Sequence, residues 1–311
     1  MLDAPRPARP PARHRRPRCA RSTEHDGGPV PTEAFSLLLP VYRGDRPAFL
    51  RRAFRSSVDD QTLRPDEVVV VRDGPVSAEL ARTMAELAEA SPVPVVTVEL
   101  ARNMGLAYAL ERGLEACAHD IVARMDADDI SLPERFARQL ALISDGLDLV
   151  GTGMYEFADE VGTIAGRRTP PVGADAISRY ARFHDPFNHP TVVYRRQAVK
   201  RAGGYLPLGL MEDYYLFARM IQSGARVENL PDPLVMYRVS AGAYARRGGV
   251  AQLVAELRLQ REFRRRRFTS LSQALRNVLV RGSYRLIPEA VRRGLYRRLI
   301  TRDRTVPQGR A

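Results

Sequence analysis

HDIVARMDADDISLPERF, His119 to Phe136, is the stretch from which the rest of the chain can be read. Its first part, HDIVARM, is a short apolar run of the kind that forms a buried strand. The run ends on three carboxylates, Asp126, Asp128 and Asp129. Ser131 then reads as a helix N-cap, Glu134 as the partner that closes a capping box, and Pro133 as a first-turn residue. The carboxylates therefore stand at the carboxyl end of a strand and just before a helix, where open α/β sheets bind ligands. Asp126 and Asp128 are two apart, and in extended backbone such residues leave on the same side. Two hard oxygen donors on one side suit Mn²⁺ or Mg²⁺, with substrate phosphates completing the shell. An acidic turn that merely caps the helix accounts for Ser131 and Asp129, but not for a third acid against a buried strand.

Outward from this stretch the chain alternates. FSLLLPVY from Phe35, EVVVVRDG from Glu67, VPVVTVEL from Val93 and LDLVGTG from Leu147 read as strands. Arg46–Asp59, Val76–Glu89 and Arg102–Cys117 read as helices, the last with Leu106, Leu110 and Leu114 in phase. Such alternation predicts an α/β fold with a mostly parallel central sheet covered on both faces. The turns Tyr42–Asp45, Arg72-Asp73-Gly74, Arg102-Asn103 and Asp126–Asp129 would share one rim, which describes a nucleotide site beside a metal site. No glycine-rich loop of the dinucleotide or P-loop type occurs, which argues against NAD and ATP-hydrolysing chemistry. Beyond Gly153 come a hairpin (Tyr155–Phe157 with Thr163–Arg167), a short helix over Asp175–Phe183 and Asn188-His189-Pro190 before the strand TVVYRR. The turn Gly203-Gly204-Tyr205 and the helix MEDYYLFARMIQSG follow. Glu212 and Asp213 open that helix, where acids also simply complement the helix dipole.

A chain of 311 residues, 44% apolar and 27% charged, has ample core and an ordinary globular balance. No run of about 18 apolar residues exists to span a membrane. Two cysteines, Cys19 and Cys117, point to a reduced, cytoplasmic chain. The net charge of +13 sits at the ends: residues 1–31 carry 7 Arg against 3 acids, and residues 250–311 carry 16 Arg against 4. The expected organisation is a disordered Arg/Pro-rich tail (1–31), a catalytic domain (32–249) and a basic amphipathic helical extension (250–311). In the extension, Leu271, Ala274, Leu275, Val278 and Leu279 form one apolar stripe and Val291, Leu295 and Leu299 another. A basic amphipathic helix of this content suits an anionic membrane surface, or packs its stripe on the catalytic domain. Nucleic-acid binding is disfavoured, because no aromatic platform or binding motif accompanies the arginines.

Taken together, LLLPVY, RDGP, RNMGLAYAL, ARMDADDI, PFNHPTVVYRR, GGY, EDYYLFARM and YRVS…RRGG resemble a family 2 glycosyltransferase of the GT-A fold. The nearer likeness is to bacterial amylovoran-type exopolysaccharide glycosyltransferases, from about Phe35 to the end. The resemblance implies that Pro40, Tyr42 and Asp73 hold the donor nucleoside and that Asn103 and Gly105 face nucleotide and sugar. It places the metal of the donor diphosphate on Asp126 and Asp128. It makes Asp213 the catalytic base, with Glu212 second. For His189, structural packing, an acceptor contact and metal ligation stay open, and Arg246 and Arg247 of the RRGG segment are set with it on the acceptor side. Two departures stand out: Arg43-Gly44-Asp45 after the first strand, and Phe217 where the family commonly has tryptophan. The implied reaction is inverting transfer from a UDP-hexose to a saccharide or polyprenol-linked saccharide, at the cytoplasmic face of a membrane. A sugar-1-phosphate nucleotidyltransferase shares the layout, but would carry a glycine- and arginine-rich loop where this chain has Pro40-Val41-Tyr42-Arg43.

Overall fold

The computed structural model describes residues 33–158, 164–239 and 249–286. The described strands form one nine-stranded mixed sheet. The first half follows the expected alternation: β1 (Phe35–Tyr42), α1 (Pro47–Val58), β2 (Glu67–Asp73), α2 (Ala78–Ala90), β3 (Val95–Glu99), α3 (Leu106–Ala116) and β4 (Ile121–Arg124). Strands β3, β2, β1 and β4 lie side by side and parallel, β3 at the edge and only partly covered. Beyond them come β5 (Ile130–Ser131), α4 (Arg135–Ser144), β6 (Leu149–Phe157), β7 (Ile164–Arg168), α5 (Ala174–Tyr180), β8 (Val193–Arg195), α6 (Arg196–Arg201), α7 (Glu212–Gln222) and β9 (Val227–Arg238).

The second half is where the sheet becomes mixed. The LDLVGTG strand, β6, does not lie beside β4, because β8 inserts between them and runs antiparallel to both. β9 then pairs parallel to β6, and short β5 closes the far edge against β9. β6 runs unbroken to Phe157 and pairs with β7 as the second arm of the expected hairpin. Ser131 is not an N-cap. It ends β5, its backbone N–H donates to Ser56 Oγ at 3.1 Å, and its hydroxyl accepts from Arg135 Nη1 at 2.8 Å. α4 therefore starts four residues later, at Arg135.

Side-chain alternation along the strands divides two cores. Leu37, Leu39, Val68, Val70, Ile121 and Ala123 meet α1, α2 and α4 on one face. Leu38, Val69, Val71 and Val122 meet α3, α6 and α7 on the other. α7 is buried almost all round, because its second side is covered by α8 (Val250–Arg265): Met211, Tyr214, Tyr215 and Ala218 pack on Ala255, Leu259 and Phe263. α9 (Leu271–Asn277) follows α8, and Asn277 Nδ2 donates to the Arg182 carbonyl at 2.8 Å. Arg246, Arg247 and the stripe at Val291, Leu295 and Leu299 lie outside the described residues. No described helix is long and apolar enough to cross a membrane.

Candidate active site

Parallel register builds the rim. Tyr42 and Asp73, the last residues of β1 and β2, are direct partners, while β4 stops at Arg124 opposite Leu38. β1 thus runs on past the end of β4, and the acidic turn sits beside its last residues.

At the β2 corner the Asp73 carboxylate is engaged by protein. Its oxygens accept from Asn103 Nδ2 (2.9 Å), Met104 N (2.6 Å) and Gly105 N (3.0 Å). This explains why the helix expected from Arg102 begins only at Leu106: the four residues before it are a loop pinned to the strand end. Gly74 makes the approach possible, since a Cβ there would lie 2.4 Å from the Asn103 backbone nitrogen and its φ is +86°. Asp73, Asn103 and Gly105 are thus brought together, with Tyr42 half-exposed next to them.

Asp126, Asp128 and Asp129 also converge, though not by alternation in extended backbone. They lie in a turn, and each offers a carboxylate oxygen within 4.8 Å of the others. Burial pushes Asp128 up to about 6 and Asp129 well above the ordinary carboxylate range, each reinforced by its acidic neighbours. A fourth carboxylate faces them. Asp45 accepts from the Tyr42 backbone N–H at 2.8 Å and is pushed up to about 7 by burial and by the charges of Asp128 and Asp126. Arg238 secures the turn from β9, its backbone N–H donating to Asp129 Oδ1 (2.8 Å) and its Nε to the Asp128 carbonyl (2.9 Å). Asp129 Oδ2 is buried with no hydrogen-bond partner among the described residues. Crowded carboxylates with an orphaned oxygen are a donor set that fits a hard divalent cation.

Arg124 is the residue that sequence reading missed. It shares the face of Val122, is 2% exposed and pairs with Asp126. Burial works against its charge, but Asp126, the buried tyrosines Tyr205 and Tyr194, and Asp129 favour it, and the guanidinium is held above its ordinary pKa. Its Nε and Nη1 have no partner among the described residues. The signal was legible as one cation inside an otherwise apolar strand.

The charge of Arg124 also reaches the pair His189–Asp213. β8 carries the 3-10 turn His189–Thr191 into place beside β4, and the GGY turn and α7 complete the wall. His189 Nδ1 lies 3.7 Å from Asp213 Oδ2, and His189 Nε2 lies 2.9 Å from the Tyr205 hydroxyl. Burial, with the Arg124 charge behind it, holds His189 far below its usual pKa, so it is neutral. Asp213 is pushed up to about 6 by burial and by Glu212. Phe217 packs its edge on the His189 ring, filling the place of the expected tryptophan.

Comparison with known proteins follows the same lines. The family model described as "Glycosyl transferase family 2" matches residues 36–203. The amylovoran biosynthesis glycosyltransferase AmsE of Erwinia amylovora is 38% identical over 84% of this chain and 97% of its own. The Escherichia coli UDP-Gal:alpha-D-GlcNAc-diphosphoundecaprenol beta-1,3-galactosyltransferase is 33% identical over 87% of this chain and 98% of its own. Among solved structures, a mannosyltransferase of Pyrobaculum calidifontis in complex with GDP-Man and Mn2+ superimposes with a TM-score of 0.57 at 18% identity, covering 88% of this chain and 78% of that one. That likeness places the fold among the GT-A enzymes.

Proposed function

Because the chain belongs to glycosyl transferase family 2, we propose that it catalyses inverting transfer of a hexose from a UDP-hexose to a saccharide carried on a polyprenyl diphosphate, in exopolysaccharide or cell-surface polysaccharide synthesis. The observation that carries this reading is the reach of Arg124: it pairs with the acid cluster proposed for the donor diphosphate, and its charge also acts on Asp213, a carboxylate raised to about 6. Asp126 and Asp128, with Asp129 beside them, would hold Mn²⁺ or Mg²⁺, which when bound neutralises charge on the leaving diphosphate. Pro40, Tyr42, Asn103 and Gly105 line the nucleotide, and Asp73 acts by fixing the loop that presents Asn103 and Gly105. Asp213 takes the proton of the acceptor hydroxyl as that oxygen attacks the anomeric carbon from the face opposite the leaving group. Burial and, after it, Glu212 one residue earlier keep Asp213 a stronger base than a free aspartate.

Docking on the cytoplasmic face of an anionic membrane belongs to the same proposal. Leu271, Leu275 and Leu279 are 61%, 56% and 68% exposed, and Arg258, Arg261 and Arg265 of α8 are exposed as well. Leucines that insert among lipid chains and arginines that meet anionic headgroups are complementary to such a surface.

The test is a panel of UDP- and GDP-sugars with Mn²⁺, with and without a GlcNAc-diphosphopolyprenol acceptor. Metal-dependent release of UDP with a lengthened acceptor is the expected result. Formation of a nucleotide sugar from a sugar 1-phosphate and UTP would instead establish the nucleotidyltransferase reading.

A further inference from the structure

The GGY turn has no part in the reaction as described, yet its tyrosine is held with unusual care. Gly203 and Gly204 have φ of +88° and +67°, a conformation that side-chain-bearing residues rarely adopt. The Arg219 guanidinium of α7 donates to the carbonyls of Ala202 (2.6 Å) and Gly204 (2.7 Å), clamping the turn from beneath. Glu111 of α3 accepts from the Tyr205 backbone N–H at 2.7 Å. These bonds deliver the Tyr205 hydroxyl to His189 Nε2 at 2.9 Å, with the Tyr194 hydroxyl 3.4 Å behind it. All three rings are buried. The other ring nitrogen of His189 faces the Asp213 carboxylate.

Resting on Asp213 as the base, we propose that Tyr205 and His189 are positioning residues for it: the Tyr205 hydroxyl donates to His189 Nε2, which leaves the imidazole proton on Nδ1, directed at Asp213 Oδ2. The choice of tautomer follows from charge. A neutral imidazole with its proton on Nε2 would turn the Nδ1 lone pair toward an ionised carboxylate at 3.7 Å in a buried site. With the proton on Nδ1 the same contact is attractive. Asp213 Oδ1 already accepts from the Tyr214 backbone N–H at 2.7 Å. With both oxygens oriented from inside the protein, the remaining lone pairs are aimed at the acceptor hydroxyl. His189 neither gains nor loses a proton; the acceptor's proton ends on Asp213.

The direct test reads the tautomer. In the full-length ¹⁵N-labelled protein, one of five histidines is His189, and its resonances are assigned by their loss in His189→Gln. Near pH 7.5 the spectrum should show Nδ1 protonated and Nε2 bare, and Tyr205→Phe should convert this to a mixture. The kinetic test uses Tyr205→Phe on UDP release from the turned-over UDP-hexose. A mixed tautomer that weakens the Nδ1–H contact to the Asp213 carboxylate predicts a fall in kcat of about tenfold, with donor KM changed less than about twofold. The acid limb of the kcat profile should also move to higher pH, because an unsupported carboxylate holds its proton more tightly. The groups facing Asp213 are Glu212 on its own helix, Arg124 from β4, Asp185 from the segment after α5, His189 and Tyr205, and the variant alters only the last. A wild-type His189 protonated on Nε2 overturns the proposal. So does an unchanged kcat and profile in Tyr205→Phe beside an inactive Asp213→Asn. An Asp213→Asn enzyme that keeps its turnover overturns the base assignment itself.

Discussion

Asp213 is an aspartate whose surroundings suit it to work near neutrality, and its pH behaviour is fixed by sign. A base acts in its ionised form, so turnover should climb as pH rises through about 6 and level off above pH 7, as a kcat profile would reveal. Asp213→Asn should lower kcat by about 10²-fold or more, and Glu212→Gln by much less, with donor affinity nearly unchanged in both. A larger loss in the glutamate variant would exchange their roles. Asp128 is raised as well, to about 6, so its ionisation opposes folding while no cation is present. A carboxylate whose folded pKa lies above its unfolded value contributes stability that is full below the unfolded pKa, near 4, and is lost as pH climbs through the folded value. Asp128→Asn should therefore abolish metal-dependent turnover yet stabilise the metal-free protein at pH 7.5, on the order of 1 kcal/mol. Urea unfolding of the two proteins in EDTA measures it, and a destabilised variant would refute the account.

At the scale of elements, α7 stands between two cores, and this changes what the basic extension does. Phe263 of α8 meets the Tyr214 ring edge-on at 5.2 Å and the Phe268 ring at 4.9 Å, and is 1% exposed. Phe263→Ala should cost about 3–5 kcal/mol in urea unfolding, and because the cavity opens beside the turn of α7 that carries Asp213, kcat should fall with it. For the same reason, removing everything after Gly249 would strip one side of α7 and could not serve as a clean membrane test. Leu271→Glu and Leu275→Glu change the exposed stripe and leave the buried Ala274 and Asn277 in place. The paired variant should lose co-sedimentation with anionic vesicles while keeping its melting temperature; undiminished binding would remove the stripe from the docking surface. Added salt should weaken the wild-type association, since screening limits the arginines' reach to about 8 Å at physiological ionic strength.

For the molecule as a whole, the sheet gathers charges that repel and that a ligand can reconcile. Asp45, Asp128, Asp129 and Asp213 are all raised, so the metal-free protein should melt at a higher temperature at pH 5 than at pH 8 on their account. Mn²⁺ at about a hundred times its Kd should restore roughly 2.7 kcal/mol at neutral pH, read as a rise of a few degrees in melting temperature. EDTA should reverse the rise, and Asp126→Asn should not show it. A wild-type melt indifferent to Mn²⁺ and to UDP together would count against the cluster as the donor-metal site.

Local pattern was enough for the first half of the fold. Apolar runs of strand length and helical phasing of Leu106, Leu110 and Leu114 record burial residue by residue, so alternation, the strand-end rim and the Asp126–Asp129 turn could all be read before any contact was known. So could the late acids and, through resemblance, the family. Tertiary structure alone decided that β8 enters antiparallel between β4 and β6, because three residues of apolar strand carry no mark of their neighbours or direction. That insertion brings His189 to Asp213 within reach of the Arg124 charge, which also pairs with the acid cluster. It also took the folded chain to show that the carboxylate of Asp73 fastens the Asn103 loop, that Ser131 belongs to a strand, and that Tyr205 reaches His189. Each of these depends on two groups far apart in the chain meeting in a place without water, where an unpaired polar group is costly and its partner is chosen by proximity. Periodicity reports which side of an element is buried; which partner waits there is settled by packing.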